Sequence, residues 1–155
     1  MPGYREQNDR MRRWYARFEV IDKGREHDAP SDNYVDEIYA FFLNCYHLKD
    51  WIKHDPAVPA TVQLAVEGYV SGNRSLRVCA DICNSLKHLR LTRPEKSGES
   101  PTFGAKHFAV SLGPGLPTTI SLKYEVDTAG GPEDAFLIAT ENVAAWDGFL
   151  GAHCL

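Results

Sequence analysis

The chain has 155 residues, 43% of them hydrophobic, which is ordinary usage for one globular domain with a sizeable core. No run approaches the roughly 20 apolar residues that cross a bilayer, and the start, Met1-Pro2-Gly3-Tyr4-Arg5-Glu6, lacks the apolar stretch of a signal peptide. A net charge of −4 argues against a general affinity for nucleic acid.

The first predicted helix runs from about Tyr4 to Gly24. Met11, Trp14, Tyr15, Phe18 and Ile21 recur at three- and four-residue spacing and form one apolar stripe, and Gly24 is a natural stop. The second runs from about Ser31 to His54, after the start signals Pro30-Ser31-Asp32. Tyr34, Ile38, Phe41, Phe42, Cys45, Leu48 and Ile52 fall on one face of it, and Asp55-Pro56 ends it because a residue before proline avoids helical geometry. A third helix spans about Pro59 to Val70. Asn73 is placed to cap a fourth, from about Arg74 to Leu91, whose apolar side carries Leu76, Cys79, Ile82, Cys83, Leu86 and Leu89.

The texture then changes. Residues 93–104 are rich in Pro, Gly and Ser and read as a loop. His107 to Leu112 and Thr118 to Val126 read as two strands, the second alternating Ile120, Leu122, Tyr124 and Val126 against polar neighbours. Gly130-Gly131-Pro132 interrupts the chain, and a last helix runs from about Glu133 to Leu150. The expected fold is therefore mainly α: one domain over residues 1–155, with a bundle over 4–92, a β-hairpin over 105–127 and a C-terminal helix over 133–150, about five helices in all. A lone hairpin is marginal in water, so it is expected to pack on the bundle or to pair across a dimer.

Cys45, Cys79, Cys83 and Cys154 form no compact framework and read as reduced thiols of a cytoplasmic protein. Charge is uneven: residues 1–100 hold fifteen basic and fifteen acidic groups, whereas residues 101–155 hold two basic and six acidic ones. Basic clusters at Arg10, Arg12, Arg13 and Arg17, and at Arg74, Arg77, Lys87, Arg90, Arg93 and Lys96, read as solvated helix faces or as a local phosphate-contacting surface.

Two polar faces are candidate sites. On the second helix His47, Asp50 and His54 cluster opposite the apolar stripe, flanked by Trp51, Tyr46 and Tyr39. So many aromatics point to a subunit interface, to cover by the hairpin, or to a ligand-binding face. On the fourth helix Arg77, Asp81, Asn84 and His88 form one polar line. There His88 is a candidate acid and base, a carboxylate or amide one turn back can fix its tautomer, and a cation can hold phosphate. The plain alternative is an Arg77–Asp81 ion pair on a wet face, with His88 favouring the helix dipole. Cys79-x3-Cys83 does not have zinc-knuckle spacing, and neither a nucleophile elbow nor a glycine-rich phosphate loop is present, so no cofactor is implied.

A helical bundle whose late helix ends in Asn84-Ser85-Leu86-Lys87-His88 resembles the HEPN superfamily. That resemblance implies a small dimeric helical domain that binds or cuts RNA in a defence or toxin–antitoxin setting. His88 matches the family's histidine and Asn84 the polar residue of its Arg-polar-x-x-x-His pattern, while Cys83 stands where the arginine belongs. The stretch 42–51 is also similar to segments of uncharacterised bacterial proteins, which implies no activity.

Three readings follow. The first is a HEPN-like homodimer that binds RNA or cuts it without metal, using His88, Asn84, Asp81 and Arg77. The second is a non-catalytic dimeric interaction or regulatory module with a protein partner. The third is a metal-dependent enzyme using His47, Asp50 and His54.

Overall fold

A computed structural model describes residues 3–88 and 94–155. Five helices carry most of the chain: α1 (Tyr4–Lys23), α2 (Ser31–His54), α3 (Ala60–Gly72), α4 (Arg74–Lys87) and α5 (Ala135–Ala152). Four strands accompany them: β1 (Arg25–Glu26), β2 (Thr102–Ser111), β3 (Thr119–Thr128) and β4 (Gly131–Asp134). The protein is thus mainly helical, but the expected hairpin is part of a four-stranded antiparallel sheet rather than a simple insertion into a bundle.

The bundle forms around α2, which packs against each of the other four helices. Its predicted stripe is buried from Tyr34 to Ile52. Phe18 of α1 meets Phe41, Phe42 and Phe136 at centroid distances of 5.2 to 6.2 Å in tilted or edge-on geometry, which suits the ring quadrupoles. Asn73 caps α4 as expected, its Oδ1 accepting from the Leu76 amide, and Asp134 caps α5 by accepting from Phe136 N–H at 2.8 Å. The thiols of Cys79 and Cys83 both donate to the Phe42 carbonyl, so these two cysteines and Cys45 lie reduced in the core, while Cys154 is exposed.

In the sheet β3 is central. It pairs along one side with β2 and along the other with β1 at one end and β4 at the other. Gly24, at φ 124°, turns the chain from α1 into β1, a conformation that glycine adopts without strain. Leu122, Tyr124 and Val126 bury the predicted face of β3. The hairpin is rooted on α2 by Phe103, which stacks on Tyr124 at 4.5 Å and meets Tyr39 at 4.9 Å.

Two expectations are corrected. α4 ends at Lys87 rather than Leu91, since His88 already has extended backbone angles (φ −129°, ψ 130°). Leu89, Arg90 and Arg93, read as part of the helix and its basic cluster, lie outside the described residues. Residues 131–134, read as a break followed by a helix start, form β4, and α5 begins at Ala135.

Candidate functional site

The polar line on α4 does not form one accessible site. Asp81 is 1% exposed. Its carboxylate accepts the backbone N–H groups of Lys96 and Ser97 at 2.8 and 2.7 Å, and the Ser97 hydroxyl as well. It therefore anchors the segment after residue 93 onto the helix. Arg77 does not pair with it; the guanidinium donates to the Ser71 carbonyl at 2.8 Å. Asn84 is half-buried, and His88 is exposed at the helix end. The expected Arg77–Asp81 ion pair is corrected by this arrangement, because the chain folds back over α4 and engages the carboxylate.

The α2 face is divided. Asp50, Trp51 and His54 line, with Gly3 and Asp55, a surface cleft of about 360 Å³. Trp51 carries the Arg10 guanidinium over its ring at 5.6 Å, and His54 Nδ1 donates to the Asp50 carbonyl at 2.8 Å. His47 points elsewhere, its Nε2 lying 3.2 Å from Lys87 Nζ. This contact joins the α2 face to Lys87, a residue of the predicted basic cluster on α4 that is not part of its polar line.

A lysine that donates to an imidazole needs that nitrogen unprotonated. His47 is accordingly held below the ordinary histidine value, first by partial burial and then by the Lys87 cation. A histidine depressed in the folded state resists protonation there, so it costs stability as pH falls through the unfolded value near 6.5. Lys87→Gln is expected to move the His47 titration upward in NMR, leaving the depression due to burial and the smaller effects of Asp50 and Lys49. An unchanged titration would show that the two side chains do not meet.

Lys49 escaped the sequence reading. It is 7% exposed, and its ammonium donates to Asp50 at 2.7 Å and Glu67 at 3.1 Å while lying 4.9 Å from the Tyr46 ring centroid. Burial works against its charge, but the two hydrogen bonds outweigh burial and hold its pKa above the usual lysine value. The signal was its spacing, four residues after Cys45 and three before Ile52, at the edge of the apolar stripe. Its cation is matched by carboxylates, so the cluster is a structural brace between α2 and α3.

Among the described residues no three His, Cys, Asp or Glu side chains converge as a metal ion would require. The trio His47, Asp50 and His54 is thus not brought together, and the metal-dependent reading gains no geometric support. No helix of the described residues is long and apolar enough to cross a membrane.

The least satisfied surface is the hairpin. Phe108, Val110, Leu112 and Leu116 are 47%, 57%, 76% and 71% exposed. Phe108 and Val110 stand opposite Leu122 and Ile120 of β3, so they continue the apolar face of the sheet beyond the reach of the helices. The far edge of β2 pairs with no other described strand. Neither a family model, nor a curated protein, nor a solved structure matches this chain.

Proposed function

We propose that the chain is a non-catalytic interaction module whose working surface is the β2–β3 hairpin. One observation carries this reading: an unpaired strand edge lies beside four exposed apolar side chains. An edge of this kind is a template for pairing with another chain, and natural proteins usually blunt it with charge or cover. From Phe108 to Thr119 the chain carries no charged residue at all. Of the α4 residues offered for catalysis, Arg77 and Asp81 are in contrast committed to structural bonds.

The test is co-purification with full-length tagged protein, co-expressed with the untagged chain, beside a Phe108→Asp/Val110→Asp variant. Wild type is expected to retain at least one associated chain, its own or another, and the variant to lose it while keeping its circular dichroism. Equal retention by both would remove the hairpin as the working surface.

A second reading is HEPN-like RNA binding or metal-independent RNA cleavage. It is favoured by the contact of Lys87 with His47, which joins a cation and an imidazole across the α2–α4 seam one residue before the exposed His88. Total RNA incubated with wild type and His88→Ala, with and without EDTA, decides it. Cleavage by wild type alone, insensitive to EDTA, supports the reading; identical behaviour of the two proteins ends it.

A further inference from the structure

We infer that the partner of the hairpin is a second copy of this chain, joined antiparallel through β2 with Ala109 on the two-fold axis. The inference rests on the hairpin being the working surface and names what covers it.

The free edge limits where pairing can occur. A register shift between Phe103 and Lys106 breaks β2 near its start, and the ladder with β3 is regular only from Lys106 to Ser111. Beyond Leu112 come Gly113, Pro114 and Gly115, and a proline cannot donate to a ladder. The usable run is therefore about Lys106 to Leu112, and its middle residue is Ala109.

Pairing a strand with itself about Ala109 places His107 opposite the partner's Ser111, Phe108 opposite the partner's Val110, and Lys106 opposite the partner's Leu112. On the buried-face side each exposed Phe108 and Val110 then gains an apolar neighbour, the kind of cross-strand pair that stabilises sheets. The neighbouring registers on that face are poorer. Moving the axis to Phe108 sets Lys106 against the partner's Val110 and leaves Leu112 unpaired. Moving it to Val110 sets Lys106 against the partner's Pro114. Moving it to Lys106 sets two like charges face to face.

A lysine on an edge strand normally discourages such pairing. Here Lys106 is drawn back, with Nζ 5.3 Å from the centroid of its own Tyr124 on β3. From Phe108 onward the strip is uncharged, so the surface that complements it must also be uncharged and extended, and the same stretch of a second β2 has both properties. The four apolar side chains form the kind of contiguous exposed patch that marks an interaction site on a soluble protein. Two four-stranded sheets would become one continuous sheet, with the helices of each copy on the same side.

The experiment uses the full chain in light scattering across a concentration series from about 1 to about 100 µM, where association follows mass action. A dimer in wild type and a monomer in Val110→Asp, with unchanged circular dichroism, is the expected result. Ala109→Cys in a Cys154→Ser background adds a test of geometry. Directly opposed residues of an antiparallel pair have Cα atoms about 4.5 to 5.5 Å apart, within the range a disulfide spans. Mild oxidation is expected to give a covalent dimer at Ala109→Cys, and the buried Cys45, Cys79 and Cys83 do not compete. A monomeric wild type across the series overturns self-pairing. If a different chain is then lost from the Phe108→Asp/Val110→Asp variant, the interaction module stands and only its partner changes. A wild-type dimer that gives no covalent product at Ala109→Cys overturns the pairing about that residue.

Discussion

Asp81→Ala is expected to lower the unfolding free energy by about 2 to 4 kcal/mol, because three partly buried donors lose their acceptor, a carboxylate only 1% exposed. In a chain of this length each kcal/mol moves the melting temperature by about 2 to 4 °C. A thermal melt followed by circular dichroism should therefore shift down by several degrees. Asp81→Asn keeps the shape but turns an amide donor toward donors, and should recover only part of the loss. A shift too small to measure would mean that Asp81 is not the anchor of the segment from Lys96. The measurement also bears on function: a solvated orienting carboxylate would change the melt little and activity much, whereas a buried anchor does the reverse.

Trp146→Ala should be more damaging, at about 3 to 5 kcal/mol from the lost transfer energy and the cavity left behind. Trp146 is fully buried on α5, edge-on to Phe149 at 6.0 Å and near Tyr69 at 6.5 Å. Its indole N–H donates to the Cys45 carbonyl at 3.2 Å, so the substitution also removes the second hydrogen bond of a buried helix carbonyl on α2. Domains are stable by only about 5 to 15 kcal/mol, so the loss is a large share of the whole. Trp146→Phe keeps much of the ring and should cost roughly half as much. Urea unfolding reads both, and a loss below about 1 kcal/mol for the alanine variant would show that α5 is not clamped through this ring.

The helices were legible because each carries its own apolar stripe and end signals. Tyr34 to Ile52 on α2, the Gly24 stop and the Asn73 cap are all local features. The strands β1 and β4 were not legible, since two and four residues such as Arg25-Glu26 and Gly131–Asp134 have no periodicity of their own. They are strands only because β3 lies beside them. The burial of Asp81 within the polar line on α4 was not legible for a similar reason. A helical wheel correctly aligns Arg77, Asp81, Asn84 and His88, but exposure depends on what crosses the helix later in the chain, and residues 96 and 97 close over Asp81. The α2 face was partly legible. Asp50, Trp51 and His54 do share a cleft, whereas His47, less than one turn away, is claimed by Lys87 on α4. Lys49 shows the same limit: a lysine beside an apolar stripe is readable as buried only when its carboxylate on α3 is known.

The pairing of β1 with β3 bears on how the molecule assembles. Arg25 stands against Ile120 and Glu26 against Thr119, so the exit of the first helix is stitched to a strand laid down far later in synthesis. Contacts between α1 and α2 or α2 and α3 close short loops, whereas this one closes a loop that takes in most of the bundle, and long loops cost more entropy before they give any return. The helices and the local β2–β3 and β3–β4 pairings are thus poised to form first, and the closure of β1 onto β3 to come last. During that interval the edge of β3 at Thr119 and Ile120 stays open, which makes the order of events, as much as the final contacts, a condition for reaching the folded state without aggregation.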